Sequence, residues 1–231
     1  LFLHHWNRLI GEKKINMRKR REFQRREGER SARLIVIAAE GRATENIYFE
    51  TLKDEYIAPN VHVEILKRND NNSNPENVYA QIANFIKEYD IKDDDELWVV
   101  IDRDQWEIKM LSSVARKCRQ NPNFHFCLSN PCFEIWLLLH LQDVNEFSEE
   151  EKGLLNKNRK VRNGKGRTLL KDRLSGLLGS YRESCYDAKK IIPHIDDAIL
   201  RAEKLDVSPG DRWPQSLGTR VYLLAKSIMN K

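Results

Sequence analysis

Apolar residues follow two rhythms along this chain, and the rhythms alternate. Leu34 to Ala39 is an unbroken apolar run, and Leu97 to Ile101, just after Glu96, is another. Runs with no polar position to face water suit strands buried on both faces of a parallel sheet. Val61 to Leu66, rich in β-branched residues, and Phe124 to Leu128 read as two further strands. Between them the spacing becomes helical. Ile47, Tyr48, Leu52 and Tyr56 mark a helix from about Glu45, with Thr44 as its expected cap and Gly41 relieving the preceding turn. Asn74-Pro75 opens a second helix, whose apolar face runs through Val78, Ile82, Phe85, Ile86 and Tyr89. Ile108, Met110, Leu111, Val114 and Ala115 give a third that ends near Arg119, and Pro131 opens a fourth that continues to His140. The order β-α-β-α-β-α-β-α predicts an α/β fold, a central mostly parallel sheet flanked by helices.

Beyond Gln142 the strand signals stop. Ser148-Glu149-Glu150-Glu151 resembles a helix start. Helical spacing returns over Thr168 to Leu178, over Tyr181 to Leu205 with Pro193 as a break, and over Thr219 to Met229. These segments predict a helical subdomain over residues 143–231, closing over the edge of an α/β domain at residues 33–142.

Composition narrows the class. A chain of 231 residues can bury a sizeable core. No apolar stretch reaches the roughly 18 residues of a membrane span, and the longest candidate, Phe133 to Leu141, contains Glu134 and His140. Leu1 to Trp6 lack the features of a signal peptide. Four cysteines without Cys-x-x-Cys spacing and six scattered histidines offer no zinc pattern. Reduced thiols in a cytoplasmic protein are the plain expectation, with Cys132 packed rather than nucleophilic. The formal net charge is +5, but residues 13–33 hold ten Lys or Arg against three Glu, leaving 30 basic and 32 acidic residues elsewhere. The basicity therefore belongs to an N-terminal arm, residues 1–32, which suits either polyanion phosphates or plain solvation.

Acidic residues at two strand ends add chemistry to this picture. Glu40-Gly41 follows the first apolar run, and Asp102-Arg103-Asp104 follows the run that ends at Ile101. In open α/β sheets the carboxyl edge is where ligands bind. Glu40, Asp102 and Asp104 are the expected ligands of one divalent metal, Mg2+ or Mn2+, which needs only one to three carboxylates beside its waters. Glu45, about one helical turn past Glu40, can bind metal, position water or offset the helix N-terminus. Glu134, after the fourth strand, can serve the same site or cap its own helix. His140 is read as a core hydrogen-bonding residue. Arg103 is expected in a salt bridge, with a substrate phosphate as the alternative. Residues 157–167 carry six basic residues and two glycines, and Lys160, Arg162, Lys165 and Arg167 there are phosphate-contact candidates. The acids at Lys92 to Glu96, at the other end of the strand, are expected in a solvated turn.

The two strand-end acidic motifs resemble the signature of Toprim domains. Glu40-Gly41-x-x-Thr44-Glu45-x-x-Tyr48-Phe49, Ser129-Asn130-Pro131-Cys132-Phe133-Glu134-x-Trp136-Leu137-x-x-His140 and, more loosely, Pro214-x-x-x-x-Thr219-x-Val221 resemble the RloB family of bacterial restriction-locus and phage-defence proteins. The resemblance covers most of residues 33–225. It implies a Toprim-like fold and Mg2+-dependent phosphodiester cleavage of nucleic acid, DNA or RNA and tRNA among them, in anti-phage defence such as abortive infection. It gives Glu40 the role of general acid or base and makes Asp102 and Asp104 metal ligands. It also implies an ATPase partner from the same locus. A homo-oligomer is allowed. Two other functions stay open: a module that binds nucleic acid or an ATPase without chemistry, and hydrolysis of a small nucleotide, for which no Walker-type phosphate loop is present.

Overall fold

The four expected strands form: β1 (Arg33–Ala39), β2 (Val61–Leu66), β3 (Glu96–Asp102) and β4 (Phe124–Asn130). The computed structural model describes residues 32–67, 74–162 and 166–231. The basic arm, apart from Ala32, and Lys165 lie outside the described residues. Ala32–Lys231 clusters as one unit. Helices α1 (Thr44–Tyr56), α2 (Pro75–Phe85), α3 (Ile108–Arg119) and α4 (Glu134–Leu141) alternate with the strands. Then come α5 (Glu149–Lys157), α6 (Leu169–Leu178), α7 (Ile195–Leu205), a two-residue strand β5 (Gly218–Thr219) and α8 (Val221–Met229). The sheet order is β2-β1-β3-β4-β5, with the first four strands parallel and β5 antiparallel to β4.

Both faces of the sheet are dry along β1 and β3, as their unbroken apolar runs require. Ile35, Ile37, Ala39, Trp98, Val100 and Cys127 join one core layer with α1, α4 and the helices after α4. The residues between them, Leu34, Val36, Ala38, Leu97, Val99 and Ile101, join the layer of α2 and α3. Thus β1 leads into a helix on one face and β3 into a helix on the other. Order 2-1-3-4 with that reversal makes the carboxyl ends of β1 and β3 a topological switch point, where a crevice opens between diverging chains.

Several boundaries depart from the expected ones for visible reasons. The helix after β4 begins at Glu134 rather than at Pro131. The Pro131 carbonyl is taken by the backbone N–H groups of Arg103 and Asp104, both at 3.0 Å, where β3 leaves the sheet. The expected helix over Tyr181 to Leu205 is helical only from Ile195; before it lie two short 3₁₀ turns, Ala188–Lys190 and Ile192–His194. Pro193 supplies no backbone N–H and disfavours helix at the residue before it. The α2 helix stops at Phe85, before Ile86 and Tyr89, while Asn74 caps it as expected, accepting from the Asn77 N–H at 2.9 Å. Asp95 is not in solvent. It is buried, and its carboxylate accepts from the N–H groups of Leu34 and Lys92, each at 2.8 Å.

Helix α4 runs through the core, with Ile135 to Leu139 all fully buried. Such a helix is apolar all round because it has no solvent side. His140 at its end is a core residue, as expected: Nε2 lies 3.1 Å from the Tyr48 hydroxyl and Nδ1 2.9 Å from the Trp136 carbonyl oxygen. Trp98, Trp136 and Trp213 are likewise buried. Of the cysteines, Cys118, Cys127 and Cys132 are buried and Cys185 is exposed, all as free thiols.

Candidate functional site

The switch point holds a cavity of about 380 Å³. Glu40, Glu45, Asp102, Asp104 and Glu134 line it, with Gly41, Arg42, Thr44, Cys132, Asn158, Thr168, Lys171 and Glu183 among the remaining wall residues. Three strand ends and the start of α1 deliver the five acids. Glu40 directly follows β1, its N–H bonded to the Val100 carbonyl at 3.0 Å. Its carboxylate reaches across to β3 and accepts from the Asp102 N–H at 3.1 Å. Parallel pairing sets the neighbouring register, Ala39 beside Val100 and Asp102 beside Ser129.

Glu45 occupies the first turn of α1, and Ala43, not Thr44, is the residue before that helix. The Glu45 carboxylate folds back to accept from the Gly41 N–H at 2.9 Å. A Cβ on Gly41 would overlap that carboxylate. Gly41 has no positive φ. Its need for glycine is therefore room for Glu45 rather than an unusual turn. Thr44 is tied instead to the segment after α6: its hydroxyl donates to the Glu183 carbonyl at 3.3 Å, and its carbonyl accepts from the Tyr186 hydroxyl at 2.8 Å. Glu134 does not cap its helix through a side-chain bond to the residue before it; its Oε1 accepts from the Tyr181 hydroxyl at 3.1 Å.

Crowding five acids has an electrostatic consequence. Burial pushes the Glu45 carboxyl up to about 7, with Glu134 and Glu40 adding repulsion against the relief from backbone N–H groups. Asp102 stands well above the usual carboxylate range, through burial first and then Glu45, Glu134, Glu40 and Asp104. Asp104 is the most open of the five, yet desolvation and Glu134 raise it as well, against the pull of Lys171 and Arg103. Burial, followed by the charge of Glu134, likewise holds the Cys132 thiol well above its ordinary value, which makes it a packing residue and not a thiolate.

The donors suit a hard cation: all are carboxylate oxygens, with neither thiolate nor imidazole among them. Among the described residues, no group of three or more His, Cys, Asp or Glu side chains is arranged to hold a metal ion as it stands. Glu40, Asp102 and Asp104 thus share a cavity without meeting at one point. Mg2+ asks for less, because it keeps several waters and takes one or two carboxylates directly. Repulsion among the acids gives them a reason to accept a divalent cation.

The expected phosphate contacts divide. Arg103 turns its Nη1 to the Trp106 carbonyl at 3.1 Å and does not line the cavity. Lys160 pairs with Thr168 across a short hairpin, and Val161 and Leu169 close it through bonds to the Arg167 and Arg159 carbonyls, both at 3.0 Å. Lys160 and Arg162 are exposed on this hairpin, whereas Arg167 is tied to Asp172 at 3.1 Å. Asn158 and Thr168, at the hairpin base, line the cavity. Sequence reasoning missed Lys171, Tyr181, Glu183 and Tyr186. None carries a local motif, and each reaches the acids only through the fold.

Among the described residues no helix is long and apolar enough to cross a membrane. No curated protein and no solved structure matches the chain significantly. The family model described as RloB-like protein matches residues 35–228, a span that contains the whole switch-point cavity, and the chain belongs to that family.

Proposed function

We propose that this chain is a Mg2+- or Mn2+-dependent phosphodiesterase that hydrolyses nucleic acid, DNA or RNA, in bacterial anti-phage defence. The observation that carries the reading is the gathering of Glu40, Asp102 and Asp104, with Glu45 and Glu134, on one open cavity at a switch point. The Toprim-like pattern of these acids and the family's restriction-locus association support it, as does the basic hairpin whose base lines the cavity.

Asp102 and Asp104, with Glu40, are the residues that would hold the cation. Once bound, the ion would polarise a phosphoryl oxygen and offset charge on the leaving group. In hydrolysis a water oxygen bonds to phosphorus as the bond to the leaving sugar oxygen breaks. One water proton passes to a carboxylate, and the leaving oxygen gains a proton. The resemblance gives the proton to Glu40. Glu45, pushed up to about 7, is equipped for the same task, because a base works best near the ambient pH. Exposed Lys160 and Arg162 would contact phosphates away from the scissile one. The reading includes an ATPase from the same locus as partner and leaves the choice of polymer, tRNA included, to experiment.

One observation favours a second reading. The acids are not arranged as a ready ligand set, and the segment carrying Tyr181, Glu183 and Tyr186 is bonded across them. Those features suit a module that grips nucleic acid or an ATPase and performs no chemistry. Incubating labelled DNA and RNA with the protein and Mg2+ separates the two. The proposal expects cleavage that EDTA stops and that falls at least about 100-fold in folded Glu40→Ala and Asp102→Ala variants. Undiminished cleavage in those variants would remove the site from the chemistry. Salt-sensitive binding without cleavage, lost on deleting residues 1–32, would establish the binding module instead.

A further inference from the structure

The acids of the cavity have a cationic neighbour that neither the strand-end motifs nor the metal assignment uses. Lys171 stands in the first turn of α6, two residues after the basic hairpin closes, and lines the same cavity as Glu40, Asp102 and Asp104. Its Nζ lies 3.8 Å from Glu134 Oε1 and is paired with the Glu183 carboxylate. We propose that Lys171 is a catalytic residue of this site, whose ammonium holds a non-bridging oxygen of the scissile phosphodiester, and that Glu183 is its partner only while no phosphate competes. The inference rests on the phosphodiesterase reading and adds a substrate contact to it.

A lysine beside five acids has an obvious alternative role as their counter-ion. Its placement argues otherwise. A neutralising cation belongs against the most buried carboxylate, but the ion pairs of Lys171 go to Glu134 and Glu183 and not to Glu45, the most buried of the five. Glu134, itself 5% exposed, is at the limit of ion-pair distance and already accepts the Tyr181 hydroxyl. The close partner of Lys171 is Glu183, whose side chain is 56% exposed. Exchange of that partner is cheap, because an ion pair open to water contributes little. The Lys171 side chain is 27% exposed, so an incoming anion can reach it. The other cation of the wall, Arg42, belongs to an exposed residue beside Gly41. Lys171 is therefore the half-buried cation of the wall, two residues along the chain from the closure of the hairpin that carries Lys160 and Arg162. A polynucleotide lying along the hairpin reaches Lys171 as it enters the cavity. There a fixed ammonium stabilises the charge that grows on a phosphoryl oxygen during attack.

The test uses the full chain with Mg2+, in wild type and in Lys171→Met, Lys171→Arg and Glu183→Gln forms. It measures single-turnover cleavage of labelled polynucleotide and, separately, binding of inorganic phosphate by calorimetry. Lys171→Met is expected to slow cleavage by about 100-fold or more and to abolish the Lys171-dependent phosphate binding, while melting and Mg2+ affinity stay close to wild type. Lys171→Arg should recover part of the rate, since charge returns in a different shape. Glu183→Gln should slow cleavage far less than Lys171→Met does. A purely structural ion pair would instead make Glu183→Gln as slow as Lys171→Met, and that result overturns the inference. So does phosphate binding unchanged in Lys171→Met, whatever the protein cleaves. A wild type that binds phosphate through Lys171 but cleaves neither DNA nor RNA would sink the phosphodiesterase reading and leave the ammonium–phosphate contact standing.

Discussion

Glu45 shows how one side chain is held in a costly state by its neighbours. Glu45 is 3% exposed, and its carboxylate accepts from the Gly41 N–H. Keeping it charged at neutral pH still costs on the order of 3 kcal/mol, because burial and the facing acids push it up to about 7. That cost persists only because the rest of the fold overdetermines the position. Gly41 is part of the arrangement. Gly41→Ala should force the Glu45 side chain out of its place and lower stability by about 1–3 kcal/mol, read by denaturant unfolding. A neutral effect would mean that Glu45 moves freely. His140 gives a second residue-scale test. Burial pushes its imidazole down to about 3, so the folded state refuses the proton that the unfolded chain accepts at about 6.5. The unfolded state then binds more protons between those limits, and stability falls as pH falls through that window. His140→Gln should flatten this acid dependence by up to about 1.4 kcal/mol per pH unit, measured as unfolding free energy from pH 7 to pH 4.

At the scale of elements, the segment from α6 to α7 does what no strand end does: it bonds α1, α4 and α6 around the acids. Tyr181 reaches Glu134, Tyr186 and the Glu183 carbonyl reach Thr44, and the Glu183 carboxylate reaches Lys171. Tyr181→Phe removes one of these bonds and should weaken the segment locally by about 1 kcal/mol. Hydrogen exchange confined to residues 180–187 should speed up accordingly, with β1 and β3 unchanged; equal speeding in those strands would show a global loss instead. This segment also marks where the sequence stops being readable. The buried parallel strands declare themselves because both of their faces are apolar, and the acids after β1 and β3 inherit their position from those strands. Residues 181–194 mislead, since Tyr181, Cys185, Ala188 and Ile192 fall at helical spacing while the chain forms only short 3₁₀ turns there. β5 is two residues long, too short for any period to register. Asp95 sits in a run of acids that looks solvated, and only the sheet shows that its carboxylate serves two backbone N–H groups. The glycine requirement at position 41 depends on where Glu45 lands, which spacing alone does not reveal.

Over the whole molecule, charge and topology support one arrangement. The chain is basic through its N-terminal arm, while the remainder carries slightly more acid than base. The acids on the cavity are concentrated where the helices after β1 and β3 diverge to opposite faces, the place in such sheets that a ligand enters. On the proposed function a divalent cation would have to bind before a phosphate, because five carboxylates alone repel a polyanion. The proposed function requires the switch-point cavity to hold a divalent ion. A crystal structure of the protein soaked in Mn2+, with anomalous difference maps, tests it most directly. The expected result is a Mn2+ peak inside the cavity, in contact with a carboxylate of Asp102 or Asp104 and lost in Asp102→Asn. An ordered cavity without a peak at saturating Mn2+ would contradict the account.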